Sequence, residues 1–128
     1  MNVFILPFGK ISILPQNIAE VVINEGVLID KTMIKVYQNV LKSHLQSPFS
    51  VLINKENAYS YTFDAQVSMG ESMVVMYRAV VVYNNNADMA TRVLIDINKN
   101  SNWNVKIFRE RDAALDWLLQ KQNNKSAI

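Results

Sequence analysis

The residues able to do chemistry in this 128-residue chain are few and scattered, and their types speak for binding rather than bond-breaking. The single histidine, His44, leaves no His pair, catalytic triad or His-rich metal site in prospect. With zero cysteines there are no disulfides, thiolate zinc sites or cysteine nucleophiles. Three glycines are too few for a phosphate cradle, and neither a Walker loop nor a Gly-x-Gly-x-x-Gly run occurs. Asp112 and Asp116 share a helix face, a spacing at which two carboxylates hold a metal or a proton. Arg109 and Arg111 beside them make solvated ion pairs and helix capping the better reading. The expectation is no catalytic residue, no metal, no cofactor, and a protein that is not an enzyme.

The groups suited to recognition are amides, phenols and guanidinium groups. Asn54, Asn57, Tyr59, Tyr61, Asn84, Asn85, Asn86, Arg109 and Asp112 fall in segments that follow short apolar runs. In an open α/β sheet, ligands sit beyond the carboxyl ends of parallel strands, so segments 54–62, 84–86 and 109–112 are the place to look first. Tyr59, Tyr61 and Phe63 recur with period two, which projects their rings to one side, as local packing or as a lid over a pocket. Met69, Met73 and Met76 form a soft stripe read as core filling, with an adaptable apolar groove as the alternative. A groove would require a cavity of at least a few hundred Å3.

The elements that must carry these groups follow from periodicity. Val3, Ile5, Ile11 and Ile13 alternate around Pro7-Phe8-Gly9-Lys10, a hairpin signature, and residues 19–23 read as a third strand. Asp30 is a good N-cap for a helix to about residue 46, with Met33, Tyr37, Val40, Leu41 and His44 on one stripe. Pro48 stops it, and residues 49–54 form an apolar run typical of a strand covered on both faces. Residues 57–62 read as a loop, and Thr62 caps a helix to about Met69, with further turns over 71–77. Residues 79–83 form the next buried strand, and the asparagine triplet caps a helix over 87–98 that turns Met89, Ala90, Val93, Leu94 and Ile97 inward. Val105, Ile107 and Phe108 form a short buried strand, and a charged turn starts a helix with Ala114, Trp117 and Leu118 on one face. The order β-β-β-α-β-α-β-α-β-α implies a mixed sheet, parallel in its later strands.

Composition sets the outer bounds. Half the residues are hydrophobic, enough for one core and too many for disorder. No apolar run is long enough to span a bilayer, and no secretory signal is visible, so the expectation is a cytoplasmic protein without a transmembrane segment. The net charge is only +2, and the 13 basic residues form no stripe, which argues against nucleic acid.

The ending Val105-x-x-Phe108, Asp112, Ala114, Trp117 and Leu118 resembles the SpoIIAA-like superfamily (STAS and CRAL-TRIO-related), and within it small standalone bacterial members. The resemblance implies an α/β fold: a SpoIIAA-like mixed sheet with a layer of about four helices, as a single domain over 1–120 with a frayed polar tail over 121–128. In the anti-sigma-factor antagonists of that superfamily a serine after a central strand is phosphorylated, within an Asp-Ser signature. Here Ser60 and Thr62 are the hydroxyls in that place, without the signature. The favoured function is a non-catalytic regulatory or interaction module binding a protein partner or a small apolar ligand. The alternatives are a phosphorylatable partner switch and a lipid-binding protein. A homodimer through the N-terminal edge, which carries Phe4 and Phe8, or through a helix face is expected, and Phe8→Asp should dissociate it only if the edge is the interface.

Overall fold

The alternating N-terminus closes into the expected hairpin in the computed structural model, which describes residues 2–69, 75–101 and 104–126. Strand β1 (Asn2–Leu6) pairs antiparallel with β2 (Gly9–Leu14) around Pro7-Phe8. Gly9 is required there, because a Cβ would stand 2.4 Å from the Val22 carbonyl oxygen. Gln16 and Asn17 take positive φ values of 68° and 63° to turn the chain into β3 (Ile18–Ile23), again antiparallel.

From β3 onward the pairing is parallel, through β5 (Phe49–Lys55), β7 (Val75–Val82) and β8 (Val105–Phe108). The six strands run in the order β1-β2-β3-β5-β7-β8. All seven residues of central β5 are buried, as a strand covered on both faces demands. Segment 57–62, expected as a loop, contributes β6 (Ser60–Tyr61), which pairs with β4 (Leu28–Ile29) in a separate two-stranded sheet. Backbone bonds from Gly26 N to Ala58 O (2.7 Å), Ser60 N to Val27 O (3.0 Å) and Thr62 N to Ile29 O (2.9 Å) join the two segments.

Four helices complete the fold: α1 (Lys31–His44), α2 (Phe63–Met69), α3 (Asn85–Ile97) and α4 (Arg111–Ser126). Each expected cap is in place. Met33 N donates to Asp30 Oδ1 (2.9 Å), Ala65 N to Thr62 Oγ1 (3.1 Å) and Ala87 N to Asn84 Oδ1 (2.8 Å). Helices α1 to α3 pack Ile34, Leu41, Ala65, Met69 and Leu94 onto one face of the sheet, against Val21, Val51, Ile53 and Val80. Helix α4 covers the other face, Ala114 and Leu118 meeting Ile18, Leu52, Ala79 and Val81.

Several expectations need correction. Strand β7 starts at Val75, so residues 75–77 are strand rather than helix, while residues 70–74, with Met73, lie outside the described residues. Strand β8 is the sheet edge, which leaves Val105, Ile107 and Phe108 half-buried. Trp117 is half-buried too, resting against Tyr77 and Phe108 with centroids 5.7 Å away, and Leu118 is the fully buried residue of that face. Helix α4 runs through Ser126, past the onset expected for the frayed tail. Gln122 holds that end down, accepting from Ser50 Oγ (2.9 Å) and donating to Gln16 O (3.2 Å).

On α3 the inward residues are Thr91 and Leu94, whereas Met89, Val93 and Ile97 are exposed. Thr91 faces a polar group on the sheet, its hydroxyl accepting from Lys55, beside the buried Leu94. Phe8 is core, 5% exposed, so it is unavailable as an interface residue. The hairpin turn tucks its ring under α1, and the true edge strand β1 presents Val3 and Ile5. Phe4 stacks on His44 at 4.0 Å.

Candidate functional site

Strand alternation divides the expected site. Consecutive side chains point to opposite faces, so Asn54 faces α4 and Lys55 faces α1 to α3.

On the α4 face, Glu20 of β3 takes both Arg111 Nε (2.9 Å) and Nη2 (2.6 Å) and also Asn54 Nδ2 (3.0 Å). Tyr83 OH, one residue past the end of β7, donates to Asn54 Oδ1 (2.8 Å) and closes the row. Burial pushes the Glu20 carboxyl up, but the hydrogen bonds from Arg111 and Asn54 outweigh it and leave the group below its ordinary value. Every charge here has its counterpart.

The other face holds Lys55, 8% exposed, at the end of the central strand. Its ammonium donates to Thr91 Oγ1 (2.9 Å) and lies 5.5 and 5.6 Å from the ring centroids of Tyr59 and Tyr61. None of the salt bridges among the described residues involves it. Burial pulls its pKa from 10.5 down to about 8. Above it opens a cleft of about 290 Å3, lined by Asn57, Ala58, Tyr59, Asn84, Asn86, Ala87 and Ala90 as well as Lys55. Asn57 is fixed there by donating to Ile23 O (2.9 Å). Burial also pushes the phenols of Tyr59 and Tyr61 up, so both stay neutral.

The remaining candidates fall outside this cleft. Arg109 reaches Asn85 Oδ1 (3.2 Å) and Asp88 Oδ2 (2.7 Å) on the outer side of α3. Asp112 is a solvent residue, its side chain 94% exposed and 3.9 Å from Arg111. Thr62 spends its hydroxyl on the α2 cap, and Ser60 is exposed. Tyr59 and Tyr61 do share a side, with centroids 5.6 Å apart, but Phe63 is 68% exposed because it opens α2 on the outer face. Met69 is packed in the core beside Tyr59 and Tyr61 around a cavity of only about 30 Å3, so no apolar groove of the expected size exists there. Met76 is partly buried on β7.

Sequence reasoning missed Lys55, Glu20, Thr91 and Tyr83. A signal for the first was present: in Val51-x-Ile53-x-Lys55 the lysine keeps the parity of the inward residues. Among the described residues, no group of three or more His, Cys, Asp or Glu side chains is placed to hold a metal ion, and no helix is long and apolar enough to cross a membrane.

The chain matches no known family model and no curated protein. It is similar in structure to an uncharacterized protein of the DUF3478 family from Shewanella loihica, described as having a SpoIIAA-like fold. The TM-score is 0.59 at 18% identity, over 86% of this chain and 91% of that one. The fold is SpoIIAA-like. A likeness at that identity carries architecture, and function has to be argued from the cleft.

Proposed function

We propose that the protein is a non-catalytic binding module, of a regulatory kind, whose ligand enters the cleft above Lys55. The observation that carries this reading is an open, polar-edged cavity of about 290 Å3 at the carboxyl ends of the parallel strands, with a buried ammonium in its wall. Lys55 apart, the part-buried carboxylates and the single histidine are engaged elsewhere. Glu20 is bound by Arg111, Asp88 is shared by Arg92 and Arg109, and His44 stacks on Phe4 at the end of α1 that leads into β5. The filled cavity around Met69 takes the methionine stripe out of the ligand reading.

The test is amide chemical-shift mapping with a panel of small acids, amides, amines and alcohols. At least one class is expected to perturb residues 56–59 and 84–90. A panel that perturbs none of them up to about 10 mM would overturn the reading.

A second reading, the phosphorylatable partner switch, is favoured by one observation: Ser60 is exposed in the segment that follows the central strand. Incubation with lysate and ATP would then add one phosphate, detected by intact mass and abolished in Ser60→Ala. An unchanged mass would remove this reading.

A further inference from the structure

We infer that the cleft is a site for a small organic acid, its carboxylate seated between the Lys55 ammonium and the first turn of α3. This rests on the ligand-binding reading above and names its chemical class. A lysine ammonium has three N–H donors. Thr91 Oγ1 accepts one at 2.9 Å, while the Thr91 hydroxyl proton goes to Ala87 O at 2.8 Å. The faces of Tyr59 and Tyr61 attract the charge but accept no conventional hydrogen bond. A buried cation held by one hydroxyl and two rings is costly, and a carboxylate arriving from the cleft would supply both the missing charge and the missing acceptors.

The opposite wall is built to share that load. Helix α3 is 13 residues long and points its amino end at the cleft through Asn84, Asn86 and Ala87. Its cap occupies the Ala87 amide, and the Asp88 amide goes to Asn84 O (3.2 Å). The amides of Asn85 and Asn86, and the Asn84 side-chain nitrogen, have no acceptor among the described residues. The acidic residue in that turn, Asp88, is tied down by Arg92 and Arg109, both at 2.7 Å. Apart from Asn57, the rest of the wall (Ala58, Ala87, Ala90 and the Tyr59 ring) is apolar, which suits the body of a small acid better than a bare inorganic anion.

The probes are benzoate and its neutral isostere benzamide, titrated into the full-length protein and followed by amide shifts. At about pH 7, benzoate is expected to bind the cleft at least about tenfold more tightly than benzamide, and Lys55→Met should bring the two level. On wild-type protein, raising the pH from about 7 to about 9.5 should weaken benzoate at least about tenfold and leave benzamide unchanged. That second measurement holds even if the variant fails to fold. It reports Lys55, because the other titratable groups around that side chain hold their charge state: burial keeps Tyr59 and Tyr61 neutral, and the Arg78 guanidinium stays protonated across that range. Equal binding of the two probes in wild-type protein would overturn the acid assignment and leave the binding reading standing. Binding of neither would also overturn it, and the binding reading falls with it only if the wider panel fails as well.

Discussion

Asn54 and Lys55 are adjacent in the chain and opposite in circumstance. Asn54 joins a row in which Glu20, Tyr83 and Arg111 satisfy one another across the α4 face. Lys55, one residue on, is driven into the face under α1 to α3 with one hydroxyl and two ring faces for partners. The first arrangement closes a structure. The second leaves an interaction open, and open polar interactions in buried places are where proteins keep room for something else. The density of polar residues at a sheet end is thus a poor guide to a site. What counts is which of them the fold has left unmatched.

The largest effect tests what holds the closed side. Leu118→Ala removes a fully buried side chain under α4 and is expected to cost about 3–4 kcal/mol in urea denaturation. Trp117→Ala, at the half-buried margin, is expected to cost about half of that. Equal losses would mean that the edge carries as much packing as the centre.

Next comes the polar row itself. Glu20→Ala strands Asn54 and Arg111 and should cost about 2 kcal/mol, less than a fully buried pair because Arg111 is 38% exposed. The Glu20 pKa is depressed in the fold, so its stabilisation is present above the ordinary value of 4.5 and is lost as pH falls through the lower folded value. Glu20→Gln should flatten that acid limb of the stability curve.

The smallest effect carries the opposite sign. Lys55→Met removes a buried charge that has no counter-ion among the described residues and should leave stability unchanged or raise it by up to about 1 kcal/mol at neutral pH. The folded pKa lies below the unfolded one, so the destabilisation is full below about 8 and is relieved as pH rises towards 10.5. Wild-type protein should therefore gain on the variant across that window in thermal melts. If Lys55→Met proved as damaging as Glu20→Ala, the contrast between the two faces would collapse.

Much of the architecture was legible in local chemistry. Asp30, Thr62 and Asn84 cap their helices because a short side-chain oxygen three residues before a free amide has little else to do. The apolar run of β5 and the parallel order follow from period and spacing. What escaped depended on tertiary context. The rotation of α3 cannot be read from Met89, Val93 and Ile97, since the side that faces the sheet includes Thr91, whose partner is a lysine 36 residues earlier. The role of Glu20 needs Arg111, 91 positions away. The candidate site was found as a region, from the rule about strand ends, and only in part as residues. Asn57, Tyr59, Asn84 and Asn86 line the cleft. Asn54, Asn85, Arg109 and Asp112 serve elsewhere, because a strand's parity and a helix's turn send neighbours in different directions.

The small sheet of β4 and β6 has a kinetic consequence. Backbone bonds at Gly26, Ser60 and Thr62 fasten the segment that carries Tyr59 and Tyr61 to the approach to α1, and β6 pairs with no strand of the main sheet. Such a patch melts on its own, at a free energy well below that of the whole molecule. The amides of Ser60 and Thr62 should therefore exchange with solvent through a private opening, faster than those of β5 and insensitive to mild denaturant. The wall of the cleft has a clock of its own, and it runs ahead of global unfolding.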